Sequence, residues 1–141
     1  MAFDRLLFAR LLFSLVTLGY GLVTIKADFN KTHATNPLWT GHARFHLVWQ
    51  ITSYLGFALL ALALIWLPGP YALERLYLAG TFAGVVYGAF FLALLSMPLY
   101  GGRTFDDNGY QPFQALGLTL DANVTVFSAL TVLLLAGIAL A

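Results

Sequence analysis

Four long apolar blocks constrain this chain more than any other feature of its sequence. They cover about residues 4–25, 37–67, 71–99 and 121–141. Each block has the length of roughly 20 residues that an α-helix needs to cross a hydrocarbon core of about 30 Å. Backbone polar groups in lipid must be satisfied within the segment, so such blocks favour helices over an open sheet. The sequence therefore predicts an all-α fold: a single integral membrane four-helix bundle of 141 residues.

Composition supports this class and excludes others. The chain is 60% hydrophobic and only 9% charged, which is unlike a soluble domain. Its net charge of +1 and lack of a basic run indicate no nucleic-acid partner. The absence of cysteine excludes disulfides, thiolate metal sites and thiol redox chemistry. The expected surroundings are the lipid bilayer and lipophilic molecules within it.

The links between the predicted helices are unequal. Helices two and three are joined by the few residues around Pro68-Gly69-Pro70, whereas the links at residues 26–40 and 100–120 are long. In a four-span protein the two long links emerge on one face, opposite the termini. This polar face holds most ionisable residues: Lys26, Asp28, Lys31, His33, His42, Arg44, His46, Arg103, Asp106, Asp107 and Asp121. If some of its basic residues serve a site, the remaining charges favour cytoplasmic termini.

The most distinctive motif joins the first long link to helix two. His33, His42 and His46 fall within fourteen residues, and helix two is expected to begin between the first two, at Asn36-Pro37 or at Thr40. His42 and His46 stand one turn apart on one helix face, and the stripe continues into the membrane with Gln50 and Ser53. Three imidazoles can bind one divalent metal ion and leave a position for substrate. Packing beside Trp39 and Trp49 at the membrane interface and acid-base chemistry are the alternatives.

A second group of polar residues lies in the link before helix four. Adjacent carboxylates at Asp106 and Asp107 can exchange a proton or join a metal shell. The run Asp107-Asn108-Gly109 is equally typical of a turn. Asp121 fits a helix N-terminus, and a functional role requires that it face the histidine stripe.

Helix three carries a stripe of small residues at Gly80, Gly84 and Gly88. This spacing allows another helix to approach closely in a membrane. We expect contacts within the bundle, with a homo-oligomer contact as the alternative.

The run from His33 to Trp39, continued by His42-Ala-Arg-Phe-His46, resembles an uncharacterised family of small four-helix integral membrane proteins. In size and topology the chain is also similar to anthrone-oxygenase-like proteins, emopamil-binding-type isomerases and membrane terpene cyclases. This likeness is at the level of fold and implies no residue roles.

These observations predict a polar pocket at the polar face, lined by the three histidines, Gln50 and the nearby aspartates. The expected function is an enzyme, such as an oxygenase, isomerase or cyclase, acting on a lipophilic small molecule by acid-base or metal-assisted chemistry. A non-enzymatic subunit or small carrier of a metal ion or proton is the alternative. The expected catalytic residues are His33, His42, His46, Asp107 and Asp121, and the expected substrate-binding residues are Trp39, Arg44, Gln50, Arg103 and Asn108.

Overall fold

Four helices form most of the protein in a computed structural model that describes residues 4–141. They are α1 (Arg5–Asp28), α2 (Gly41–Trp66), α3 (Ala72–Tyr100) and α4 (Ala122–Leu140). All four are long and apolar enough to cross a membrane, which confirms the predicted helical fold at this level. A short antiparallel hairpin of β1 (Phe113–Ala115) and β2 (Leu118–Leu120) lies directly before α4.

The helix ends differ from the predicted bounds by a few residues. Helix α1 continues to Asp28, beyond the predicted end. Helix α2 begins after Thr40, the later of the two predicted starts, and not at Asn36-Pro37; the Thr40 side chain accepts a hydrogen bond from the backbone N–H of Ala43. Helix α3 passes through Pro98 and ends at Gly101, which adopts a left-handed conformation with φ of 68°. Glycine carries no Cβ and takes this conformation at low cost, so it ends the helix where proline did not.

Helix α1 is interrupted by a π-helical turn near its middle. The turn covers Gly19–Val23 and lies between the α-helical segments Arg5–Leu18 and Thr24–Asp28. Two glycines within it allow close contacts with other helices. A Cβ placed on Gly21 would lie 2.4 Å from the Cβ of Ala58 on α2, and one on Gly19 would lie 2.8 Å from a methyl group of Leu130 on α4. The π turn therefore lies where α1 packs most tightly.

Phe13 of α1 fills the space between two further glycines. A Cβ on Gly80 of α3 would lie 3.2 Å from the Phe13 ring, and one on Gly137 of α4 would lie 2.8 Å from it. Phe13 is fully buried. Helix α1 thus forms the centre of the bundle, because its side chains pack against both α3 and α4 as well as α2.

This packing corrects the prediction for the glycine stripe on α3. Only Gly80 meets a close neighbour inside the chain. A Cβ on Gly84 would reach Leu134 at 3.9 Å, and one on Gly88 would meet no atom within 4 Å. The close helix contacts instead use glycines spread over three helices, at Gly19, Gly21, Gly80 and Gly137. A contact between copies of the chain through Gly84 and Gly88 stays a prediction.

Arginines cap two helix ends on the face opposite the long links. Arg5 donates to the backbone carbonyl of Ala139 at 3.1 Å, near the end of α4. Arg75 donates to the carbonyl of Ala63 at 3.1 Å, near the end of α2. Cations are stabilising near helix C-termini, where the carbonyl ends of the peptide dipoles carry partial negative charge; the Ala63 carbonyl also accepts the backbone N–H of Leu67. These two arginines therefore have a structural role that the charge count alone does not reveal.

Candidate functional site

The two long links pack together on the polar face. The indole N–H of Trp39 donates to the carboxylate of Asp106 at 3.0 Å, and the side-chain amide of Asn30 donates to the Tyr110 hydroxyl at 3.3 Å. These bonds join residues that are 67 and 80 positions apart. They confirm that the links share one face. We call this group of residues from the two links the loop cluster.

Asn36 lies at the centre of the loop cluster and is fully buried. It exchanges hydrogen bonds with the side chain of Asn108, at 3.3 Å as donor and 3.0 Å as acceptor. Its amide also donates to the carbonyl of Thr32 at 2.9 Å, and its oxygen accepts from the N–H of Leu38 at 3.0 Å. Asn36 therefore holds both links and does not cap α2.

His33 belongs to the loop cluster. Its Nδ1 lies 2.7 Å from the hydroxyl of Thr32 and 3.8 Å from the carboxylate of Asp28. Its ring meets the Trp39 ring edge-on at 5.4 Å and lies 6.3 Å from the Tyr110 ring. The cavity beside it is about 10 Å³, which leaves room for about one water molecule. His33 is thus packed among polar and aromatic neighbours and does not line an open pocket.

His42 and His46 form a separate pair on the exposed surface of α2. Their Nε2 atoms are 3.0 Å apart, and the rings meet edge-on with centroids 4.4 Å apart. One Nε2 donates and the other accepts, in an order that depends on the tautomers. The His46 ring also stacks on Trp49 at 5.9 Å.

An open cleft of about 390 Å³ begins at His46 of this pair. Its walls are His46, Trp49, Gln50, Ser53 and Tyr54. The Gln50 amide donates to the Tyr54 hydroxyl at 2.8 Å. Its volume falls in the range of small-molecule sites, but all five wall residues belong to α2, so the cleft is open on its other sides. We call the histidine pair and this cleft the helix cluster.

Polar groups continue from the cleft toward the bundle centre. The Tyr54 ring meets the Tyr20 ring edge-on at 6.3 Å, and Tyr20 meets Tyr87 in the same way at 6.2 Å. Tyr20 and Thr17 are fully buried, and neither hydroxyl has a hydrogen-bond partner of normal geometry within residues 4–141. Tyr87, by contrast, donates its hydroxyl to the carbonyl of Val16. At the inner end of this row of polar groups, two buried hydroxyls therefore lack a hydrogen bond of normal geometry to the described residues.

This difference predicts opposite effects of two tyrosine-to-phenylalanine changes. Tyr87→Phe should lower the free energy of unfolding by about 1–2 kcal/mol, because it removes a buried donor from a carbonyl. Tyr20→Phe should be neutral or stabilising by about 1 kcal/mol, because it removes a buried hydroxyl that the neighbouring Thr17 hydroxyl does not bind with normal geometry. Unfolding of purified protein in mixed micelles measures both. A greater loss for Tyr20→Phe would show that its hydroxyl has a partner, such as a bound water.

No protein-family model, curated protein or solved structure matches this chain. The family resemblance of the histidine motif therefore stays a prediction, and function has to be argued from the geometry.

The structure divides the predicted single pocket into two clusters. His33, Asp28 and Asp106 lie in the loop cluster, whereas His42 and His46 lie in the helix cluster. Within the part of the chain that the structure describes, no group of three His, Cys, Asp or Glu side chains is placed to hold a metal ion. The three histidines are thus near in sequence but are not assembled as one set of ligands.

The structure also shows where the other predicted site residues lie. Asp121 is the N-cap of α4, and its carboxylate accepts from the N–H of Val124 at 2.9 Å. Asp107 and Arg103 are exposed. Arg44 is half-buried, and its Nε has no hydrogen-bond partner among the described residues. Trp39 and Asn108 bind loop residues, so Gln50 is the one predicted substrate-binding residue that lines the cleft.

Sequence reasoning missed Tyr54 as part of the cleft. Its position four residues after Gln50 is the signal that could have found it, since it extends the spacing of His42, His46 and Gln50 by one more turn.

Proposed function

We propose that the protein is a membrane-embedded enzyme that binds a lipophilic small molecule in the cleft of the helix cluster. The observation that carries this proposal is the 3.0 Å contact between the Nε2 atoms of His42 and His46, because His46 also lines the cleft. An imidazole pair at the edge of an apolar surface can move a proton to or from a bound molecule.

The pair is suited to acid-base chemistry. Two imidazoles in hydrogen-bond contact share a proton, so one can act as a base while the other holds its ring in place. Imidazole changes its charge near neutral pH more readily than any other side chain. The neighbouring Gln50 amide and Tyr54 hydroxyl supply groups that can bind a carbonyl or hydroxyl oxygen.

A divalent metal ion is the alternative cofactor at the same pair. Two imidazole nitrogens that bind one tetrahedral Zn²⁺ at about 2.0–2.1 Å are roughly 3.3 Å apart. The separation of 3.0 Å between the two Nε2 atoms is near this value. Such an ion would polarise a substrate oxygen, and its other ligands would come from substrate, water or groups outside this pair.

The cleft walls favour a molecule that is mostly apolar. Trp49 is 60% exposed and separates the cleft from a second open space of about 360 Å³, lined by Phe45, Val48, Trp49 and Thr52. A chain or ring system can lie along this aromatic surface while its polar end reaches the histidines and Gln50.

A fatty methyl ketone in D₂O tests the chemistry. Protein in lipid nanodiscs should exchange the protons beside the carbonyl for deuterium, as measured by mass spectrometry of the recovered ketone. His42→Gln and His46→Gln should each slow the exchange by about 100-fold, because each removes half of the acid-base pair. The double variant should be no slower than either single variant, since members of one functional unit are not additive.

Binding and metal content have separate readouts. A diazirine derivative of the same ketone should label the segment of residues 45–54. Gln50→Leu should reduce this labelling, whereas Ser96→Ala on α3, away from the cleft, should not. Loss of exchange on adding EDTA and its recovery with Zn²⁺ would support the metal-assisted form. Exchange at the uncatalysed rate in every variant, together with labelling spread over all four helices, would contradict the enzyme proposal.

The second candidate is a non-enzymatic carrier or subunit that holds a metal ion or a proton through the same histidines. The exposure of both rings on α2 favours this candidate, because a partner protein could reach them. Two results together would select the carrier over the enzyme. Co²⁺ should bind with a visible absorption that His42→Gln abolishes, and the purified chain should show no turnover.

A further inference from the structure

The short hairpin before α4 has one apolar and one polar face. Its register pairs Phe113 with Leu120 and Ala115 with Leu118, so these side chains share one face. The remaining pair, Gln114 and Thr119, points to the other face, where the amide donates to the hydroxyl at 2.7 Å.

The apolar face is only partly covered by the rest of the chain, with Ala115 and Leu120 half-buried. Leu116 at the tip is 99% exposed, Leu118 is 61% exposed and Phe113 is 42% exposed. The thirteen residues from 108 to 120 contain no Asp, Glu, Lys or Arg. An uncharged apolar surface of this kind is unfavourable in water and indicates a partner that is itself apolar.

The turn itself places a leucine where the backbone disfavours it. Leu116 and Gly117 have φ of 52° and 75°, as the two central residues of a two-residue hairpin turn. Such turns favour Asn-Gly, because a side chain with a Cβ is strained at positive φ. The chain thus carries an apolar side chain at the tip in spite of local strain.

Helix lengths place the hairpin at the membrane boundary. Helix α4 has 19 residues. At about 1.5 Å per residue it spans roughly 28 Å, which is no longer than a hydrocarbon core of about 30 Å. Its first residue must then lie at the edge of the hydrocarbon. Only Asp121 separates β2 from α4, so the hairpin begins at the same depth.

We infer that the hairpin lies in the membrane interface, with Leu116 and its apolar face immersed among the lipid chains and its Gln114–Thr119 face toward water. This inference rests on the membrane insertion proposed above. The last turns of α3, at the same end of the bundle, also expose apolar side chains, since Leu95 and Leu99 are 80% and 87% exposed. The absence of charge fits the acyl-chain boundary and not a charged protein surface.

Spin labels on single cysteines test the inference, because the natural chain has no cysteine to remove. Leu116→Cys, Leu118→Cys and Gln114→Cys are labelled in the full chain and inserted in vesicles of phosphatidylcholine with one-fifth phosphatidylglycerol. Power-saturation spectroscopy then compares collisions with oxygen, which concentrates in lipid, and with a nickel chelate, which stays in water. Leu92→Cys on exposed α3 surface and Asp107→Cys on the exposed link are the lipid and water references.

The labels at Leu116 and Leu118 should show oxygen-to-nickel ratios close to that of Leu92, and several-fold above those of Gln114 and Asp107. If Leu116 matches Asp107 while Leu92 reports lipid, the hairpin inference is overturned and membrane insertion stands. A label at Leu116 that neither reagent reaches would assign the face to a protein contact and would also overturn it. If Leu92 itself matches Asp107, the proposed membrane insertion fails and the hairpin inference fails with it.

Discussion

Gly21→Ala should lower the free energy of unfolding by about 3 kcal/mol, at the upper end of the usual cost of overpacking a core. The added Cβ would lie 2.4 Å from the Cβ of Ala58, and both atoms are fixed to helix backbones. Neither can rotate away, so α1 and α2 have to separate. Unfolding of the purified protein in mixed micelles of mild detergent and sodium dodecyl sulfate measures the loss.

Gly56→Ala on α2 is the matched control. A Cβ on Gly56 meets no atom within 4 Å, so alanine should stabilise the helix by about 0.5–1 kcal/mol relative to glycine. Ala58→Gly should restore most of the stability of Gly21→Ala, because it removes the other atom of the contact. Equal effects of Gly21→Ala and Gly56→Ala would contradict the close approach of α1 and α2.

The helices could be predicted from the sequence because length and hydropathy are local properties. The π turn at Gly19–Val23 and the close contact of Gly21 could not, since each depends on a helix far away in the chain. The stripe at Gly80, Gly84 and Gly88 is regular, yet only Gly80 has a close partner, because Phe13 lies opposite it. Small residues predict that a close approach is allowed but not where the partner lies.

The candidate site could likewise be predicted only where it depends on local spacing along one helix. The spacing of His42 and His46 is sufficient to place both on one helix face, and the structure brings them together. A loop separates His33 from this pair, and the path of that loop depends on contacts with the second long link. Nearness in sequence therefore did not predict where His33 lies. Its contacts with Asp28 and Trp39 draw it into the loop cluster.

Competing local signals explain the other differences. Asn36 and Thr40 are both good N-cap residues, and Thr40 caps α2 because the amide of Asn36 binds Asn108, 72 residues away. The hairpin was missed because its turn carries Leu116-Gly117 and not the Asn-Gly pair that marks such turns.

Asn36→Ala should lower the free energy of unfolding by about 1–3 kcal/mol, because it deletes the hydrogen bonds of a buried polar side chain. The change removes four hydrogen bonds at a fully buried position, whereas its partners Asn108 and Leu38 are exposed and can bind water instead. The two long links should also separate, so protease cleavage within residues 26–40 should become several-fold faster. Mixed-micelle unfolding and limited proteolysis measure the two effects.

A double-mutant cycle with Asn108→Ala tests whether the loss comes from the amide pair. If the two side chains act on each other, the double variant should be less destabilised than the sum of the single variants by about 1–3 kcal/mol. Asp107→Ala is the neighbouring control, and its exposed position should limit the effect to about 0.5 kcal/mol. Strict additivity, or equal losses for Asp107→Ala and Asn108→Ala, would show that Asn36 does not hold the links together. In that case the His33 contacts would have to be independent of the second link, and the loop cluster would not be a single unit.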